Sequence, residues 1–432
     1  MSRHTLTVTD NRTGRSFEVP IERGSIRAAD LTDPFDTQRG PGVVIYDPGF
    51  THTASCVSSI TNIDLEAGTL EHRGYLIEDL VRDSTYVEVA YLLIYGELPT
   101  AAQLEHWLAE LATRKFVHEN VKRFIQGFRY DAHPMAMVGA AVGALGSFYP
   151  DGDDVRDEAA RDLQILRLVA KMPTLVAYAY RHGSGRPFVY PSDELSYTGN
   201  LLSMLFRMSE LEYVPSPRTE RALDVLLMVH ADHEQNASTT AVRAVGSTHV
   251  NPYAAIAAGV AALSGPGRGS ADLAVLRMLR QIGSVENVPA YLEQVKAGNH
   301  VLMGFGHWVY KSLDPRARIL REQLDQLYAD RPPNPLLAVA DALHARSRED
   351  EYFVSRRIFP NVDLYSGMLY EAIGIPPAMF GVMFALARSA GWIAQWREMV
   401  EDPEQGSVRP RQVWVGWAEA GPREFVPLAQ RN

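Results

Sequence analysis

The chain has 432 residues, 46% hydrophobic and 22% charged, enough to bury a large core and unlike a disordered chain or a small disulfide scaffold. Lys plus Arg number 42 against 52 Asp plus Glu, and the net charge of −10 excludes a basic nucleic-acid surface covering the whole molecule while allowing a local basic pocket. The single cysteine, Cys56, excludes an internal disulfide and a paired-cysteine zinc site, and fits a reducing, cytoplasmic setting.

From the start, Met1–Gly24 alternates polar and apolar residues and forms no apolar signal core. Thr5–Thr9 and Ser16–Val19 alternate around the turn signal Asp10-Asn11-Arg12-Thr13-Gly14, and Val43–Tyr46 is a further short strand-like run ended by Asp47-Pro48-Gly49. From about Val87 the period becomes helical: Val87, Ala90, Tyr91 and Ile94 share a face, with Gly96 as the stop. Thr100 and Gln103 form a capping box before Leu104, Leu108 and Leu111. The remainder reads as helices punctuated by Gly and Pro. These are Val121–Phe128, Glu158–Tyr180, Leu195–Phe206, Thr219–His230, Tyr253–Leu263 and Ser270–Ile282, then Pro315–Asp330, Pro335–Arg346, Ser366–Ala372 and Met379–Val400. The apolar stretches Pro134–Tyr149, Ala254–Leu263 and Ala378–Ala394 are too short, too Gly-rich or, at Arg388, interrupted, so no membrane span is expected. The fold class is mainly α, with a small β-rich N-terminal part.

Several segments carry chemistry. His230-Ala231-Asp232-His233-Glu234-Gln235-Asn236 follows an apolar helix and puts two histidines on one helix face. It lacks an evident third metal ligand, so hydrogen-bonded core histidines outweigh a metal. Gly265-Pro266-Gly267-Arg268-Gly269-Ser270 is a glycine-rich loop opening a helix, either a tight turn or an anion cradle, without the Lys-Ser/Thr of a P-loop. His307 follows Gly304 and Gly306 in an aromatic stretch, with Lys311 and Arg316 nearby. Asp363 sits among apolar residues, as a helix N-cap or as a general base whose pKa burial raises. Arg388 lies inside an apolar helix and needs an anionic partner, an internal carboxylate or a bound one. Arg409 and Arg411 add guanidinium groups near the end. Together these residues suggest a polycarboxylate substrate undergoing proton abstraction beside a carbonyl.

The pattern resembles the citrate synthase family, specifically its long bacterial, hexamer-forming branch. The matching stretches run in family order from about residue 40 to the end: Ser59–Gly74, His133–Ala136, Lys171–Thr174, Pro187–Pro191, His230–Asn236, Met303–His307, Val309–Lys311, Asp314–Arg316, Asn361–Gly367, Ala387–Trp396 and Arg409–Gln412. The resemblance implies a two-domain helical fold with the active site in the cleft. Residues 1–50 would form the β-rich extension, 51–277 and 377–432 the large domain, and 278–376 the small domain. It implies condensation of acetyl-CoA with oxaloacetate, with no permanently bound cofactor, no metal, a CoA thioester as co-substrate, and a homo-oligomer, dimer or hexamer, touching neither nucleic acid nor membrane. By resemblance His233 and His307 polarise the keto group, Arg316, Arg388 and Arg409 bind the carboxylates, Arg409 from a partner subunit, and Asp363 is the base. Lys311 stands near the CoA phosphates. The family's loop histidine, which donates to the thioester oxygen, is here Arg268, and Trp308 replaces a common arginine. Loss of that donor implies reduced or redirected activity. The alternatives are a paralogue with another acyl donor or 2-oxo acid, and a non-catalytic oxaloacetate-binding protein.

Overall fold

The computed structural model describes residues 4–32, 43–208, 213–265, 271–307, 310, 312–415 and 424–431. By internal contacts the chain divides into one unit of residues 1–57 with 409–432, and a larger one of residues 58–408.

In the first unit β1 (Thr5–Asp10) and β2 (Arg15–Pro20) form an antiparallel hairpin, Thr5 opposite Pro20 and Asp10 opposite Arg15. The expected turn forms because Asp10 Oδ1 accepts the Arg12 amide at 2.9 Å and Gly14 takes a positive φ of 74°. A short helix, α1, covers Ala28–Thr32. The strand expected at Val43–Tyr46 does not form: the segment pairs with no strand among the described residues, and Tyr46 is exposed. Alternating apolar residues make a strand only where a partner takes up the backbone hydrogen bonds.

The larger unit opens with β3 (Thr61–Asp64), β4 (Thr69–His72) and β5 (Tyr75–Leu76), a three-stranded antiparallel meander. Helices follow: α2 (Ile77–Asp83), α3 (Tyr86–Tyr95), α4 (Ala101–Arg114), α5 (Glu119–Gln126) and α6 (Pro134–Leu145). The Thr100–Gln103 box closes as read, and Gly96 ends α3 at φ 95°. Next come α7 (Glu158–Gly183), α8 (Tyr197–Phe206), α9 (Pro217–His230), α10 (Ala237–Gly246) and α11 (Pro252–Leu263). Pro173 lies inside α7 and cannot donate to the Val169 carbonyl; the Tyr197 hydroxyl does so instead, at 3.0 Å. The last group is α12 (Ala271–Ile282), α13 (Val288–Lys296), α14 (Pro315–Tyr328), α15 (Pro335–Glu349), α16 (Glu351–Ser355), α17 (Asp363–Ile373) and α18 (Phe380–Glu401).

The fold is therefore mainly helical. α18 is its central element, packed by α3, α7, α9, α10 and α11. Its stretch is long and apolar enough to cross a membrane by composition, yet 83% of it is buried in protein. Around it α14, α15 and α12 gather on α17, so α9, α17 and α18 bring three segments of chemical interest to one place.

Candidate active site

Two loops before α14 and α17 are laced together by their backbones. Phe305 and Pro360 form an isolated antiparallel bridge, Gly306 donates its N–H to Phe359 O at 2.7 Å, and Asn361 donates its own to Gly304 O at 2.9 Å. The Asn361 side chain locks the same crossing, giving Nδ2–H to Gly306 O at 2.8 Å and accepting the Asp363 amide at 3.0 Å. Gly304 has φ 79°, and a Cβ there would lie 3.0 Å from Leu364 Cα, so only glycine fits this crossing. His307 and Asp363 are thus carried by one small framework. Asp363 is the first residue of α17 and Val362 is its N-cap, so the N-cap reading of Asp363 is not what forms.

Asp314, fully buried, ties a third group to this framework. Its carboxylate grips the Arg316 guanidinium in a fork, Nε to Oδ1 at 3.0 Å and Nη2 to Oδ2 at 2.8 Å, and its Oδ2 also accepts the Val362 amide at 3.1 Å. One side chain therefore positions both Arg316 and the backbone leading into Asp363.

The turn after α9 supplies His233. It is a strained turn, with Glu234 at φ 43°, held by Asp232 Oδ2 accepting the Glu234 amide at 3.1 Å. Asn236 then caps α10, accepting the amides of Ser238 and Thr239. α18 lies directly against this turn: Gly391 donates its amide to Ala231 O, and a Cβ on it would sit 2.7 Å from Asp232 Cβ. That closeness delivers Arg388, whose Nε donates to His230 O at 2.7 Å and whose guanidinium lies 4.7 Å from the centre of the Phe384 ring.

The resulting cavity has a volume of about 400 Å³ and is lined by His233, His307, Arg316, Asp363 and Arg388, with His230, Asp272, Asn361 and Phe384 among its other walls. The His233 and His307 rings are 5.2 Å apart, and both stand against Tyr310. Burial and the arginine charges keep the histidines neutral. His307 is pushed down to about 4, mainly by desolvation and then Arg316, and His233 falls well below its usual 6.5 for the same reasons with Arg388 added. His307 Nδ1 accepts the Tyr310 amide at 3.3 Å, so the ring's proton sits on Nε2 and that nitrogen is the donor. His233 Nε2 is buried without a hydrogen-bond partner among the described residues. The carboxyl of Asp363 moves the other way, to about 6, because burial outweighs the pull of Arg316. Arg388 drops to about 10 by desolvation, relieved by Asp232. Two buried guanidinium groups facing neutral imidazoles and one weakened carboxylate make a receptor for a small dicarboxylate beside a proton acceptor.

His233, His307, Arg316, Arg388 and Asp363 are thus brought together. Arg409 belongs to the other unit and is exposed there. Arg268, Trp308 and Lys311 lie outside the described residues. Among the described residues no three His, Cys, Asp or Glu side chains gather to hold a metal, and His230 Nδ1 donates instead to Leu226 O at 2.8 Å. Sequence reasoning missed the roles of Asp314, Asn361 and Asp272. The Asp-Pro-Arg run and the Asn-x-Asp spacing were visible signals for the first two, because Asp and Asn recurrently cap the amide two residues on.

A helical fold holding such a receptor in a cleft defines an enzyme that acts on a small polycarboxylate. The family model "Citrate synthase, C-terminal domain" matches residues 49–411. A citrate synthase of Dictyostelium discoideum is 46% identical over 437 residues, covering 100% of this chain and 85% of that protein, and a peroxisomal citrate synthase of the same organism is also 46% identical, covering 99% and 88%. Among solved structures, citrate synthase from Pyrobaculum aerophilum superposes with a TM-score of 0.82 at 36% identity, covering 88% of this chain and 94% of that one. The Thermoplasma acidophilum enzyme, solved as a ternary complex with carboxymethyl coenzyme A and oxaloacetate, gives 0.78 at 29% identity, covering 88% and 98%. The chain belongs to the citrate synthase family.

Proposed function

We propose that the chain condenses acetyl-CoA with oxaloacetate and releases citrate and CoA. The observation that carries this is the convergence of His233, His307, Arg316, Arg388 and Asp363 on one cavity. Arg316 and Arg388 bind the oxaloacetate carboxylates. His307, a neutral Nε2–H donor, and His233 polarise the keto group. Asp363, with its pKa near 6, takes a proton from the thioester methyl group; the electron pair left behind attacks the keto carbon, and the keto π pair moves onto the oxygen that His233 and His307 hold. Water then cleaves the thioester. Lys311 serves the CoA phosphates, and Arg409 reaches a partner's site in a dimer or hexamer of the long bacterial kind. By resemblance, residues 278–376 form the small domain, residues 51–277 and 377–432 the large domain, and residues 1–50 the β-rich extension. A cytoplasmic location accords with the single cysteine.

Arg268 stands where the family's loop histidine donates to the thioester oxygen. A guanidinium keeps its charge, and one brought near Asp363 would weaken it as a base, so we expect turnover with acetyl-CoA to be lower than with histidine there, or directed to another donor. Three measurements test the reading. CoA release from acetyl-CoA and oxaloacetate should be detectable. Calorimetric titration should show oxaloacetate binding that Arg388→Leu abolishes. Arg268→His should raise citrate formation at least about tenfold, which is roughly 1.4 kcal/mol of barrier. Unaltered oxaloacetate affinity in Arg388→Leu would overturn the assignment.

A further inference from the structure

Removing a proton beside a thioester carbonyl pushes negative charge onto the carbonyl oxygen, and that charge needs a donor within the same water-poor cavity. The histidines and arginines already described are directed at the dicarboxylate. One carboxyl group on the cavity wall has no assigned part: Asp272, in the first turn of α12. α12 packs on α17, closely enough that a Cβ on Gly367 would lie 3.0 Å from the Asp272 carbonyl oxygen. Asp363 opens the same helix α17 and lines the same cavity. Two carboxyl groups therefore line one cavity from adjacent helices.

The Asp272 carboxyl accepts the Leu273 amide at 2.8 Å, and no cation pairs with it among the described residues. Burial raises its pKa, and the Asp363 charge raises it further, to about 7. Among the described residues the titratable groups facing it are Asp363 and Tyr370, both on α17; the Tyr370 hydroxyl is itself held far above its usual range, by burial and then by the Asp272 and Asp363 charges. On α15, Asp341 and His344 are bonded to the Tyr365 hydroxyl. Arg268, four residues earlier in sequence, lies outside the described residues.

We propose that Asp272 is a further catalytic residue, a neutral carboxylic acid that donates a hydrogen bond to the thioester oxygen while Asp363 removes the methyl proton. The C–H bond breaks toward Asp363, its electron pair becomes the new C=C bond, and the carbonyl π pair moves to the oxygen that Asp272 holds. Asp363 gains one proton, and Asp272 shares its own. This rests on the condensing activity proposed above, and it supplies a donor that does not depend on the loop at 268. Two like-charged carboxyl groups suit these opposite tasks because one proton between them is favoured over two charges or none.

The test is steady-state kinetics and oxaloacetate calorimetry on the full chain. Asp272→Ala should lower kcat about a hundredfold with oxaloacetate affinity unchanged, the usual loss for one donor to a developing oxyanion. Asp272→Asn keeps a neutral donor and should stay within about tenfold of wild type. It should also flatten the fall of kcat/KM on the alkaline side, where wild type loses the Asp272 proton. In an Arg268→His background the Asp272→Ala loss should shrink at least fivefold, because two donors then serve one oxygen. Asp272→Ala within about threefold of wild type overturns the proposal. So does Asp272→Asn as damaging as Asp272→Ala, since that would mean an ionised carboxylate is required. A wild-type chain that binds oxaloacetate but releases no CoA from acetyl-CoA overturns the condensing reading itself, and the donor role with it.

Discussion

Asp363 is costly to the fold and useful to the site for one reason, the removal of its carboxyl from water. Its pKa moves from 3.8 to about 6, which corresponds to on the order of 3 kcal/mol against the ionised form. The folded chain therefore holds this proton between about pH 4 and 6, where the unfolded chain has lost it. Stability from this group is full below pH 4 and lost as pH rises through 6. Asp363→Asn should then raise the thermal midpoint at pH 8, give no gain at pH 4, and remove measurable turnover at both. Scanning calorimetry at the two pH values checks the sign; a lower midpoint at pH 8 would mean the carboxylate makes compensating bonds. Asp314 has the opposite balance. It is buried but paired, so Asp314→Asn leaves Arg316 uncompensated and should destabilise the chain by about 3–5 kcal/mol. Because Asp314 also holds the Val362 amide, the variant should lose oxaloacetate affinity and slow proton abstraction together.

At the scale of elements, the site depends on how closely α18 approaches the turn after α9, and Gly391 sets that distance. Gly391→Ala places a methyl group against Ala231 O and Asp232, where neither backbone nor buried carboxylate yields easily. The expected cost is about 1–3 kcal/mol, and oxaloacetate binding should weaken at least about tenfold, because Arg388 and His233 sit on the two sides of that contact. Urea melts with calorimetric titration measure both; a variant destabilised but binding normally would separate packing from the site. These same elements show what the sequence made legible. Helices opened by strong caps, such as α4 behind Thr100, begin where the sequence places them, while their ends run on, here to Arg114 past Leu111. The residues His233, His307, Arg316, Arg388 and Asp363 stood out because histidine, arginine and aspartate in apolar or glycine-rich surroundings need a chemical reason. Three things resisted. α10 and α13 are only 10 and 9 residues long; Asn236 caps the first, and no side chain caps the second. The strands β3 to β5 are short and defined by pairing, which a single run cannot reveal. Asp272 looked like any acid in a helix's first turn, where carboxylates are common; only packing on α17 sets it beside Asp363.

For the whole molecule, the test is whether Arg409 of one chain serves the cavity of another. Arg409 is exposed and lies in the unit formed by residues 1–57 and 409–432, whereas the cavity belongs entirely to residues 58–408. If Arg409 serves a partner, the chain is at least a dimer at micromolar concentration in analytical ultracentrifugation, and Arg409→Leu abolishes turnover without disturbing the histidines and arginines of its own cavity. Subunit mixing makes the argument decisive. Arg409→Leu chains have a sound cavity and a faulty arm; Arg388→Leu chains have a faulty cavity and a sound arm. In a mixed dimer, an arm that crosses over pairs one sound cavity with one sound arm and leaves the other site doubly defective. Random exchange of the two inactive proteins should therefore restore about a quarter of wild-type sites, since half the dimers are mixed and each carries one intact site. An arm that serves its own chain leaves every site with one defect, and mixing restores nothing. Recovery of CoA release on co-refolding equal amounts of the two variants, absent from either alone, is the expected result.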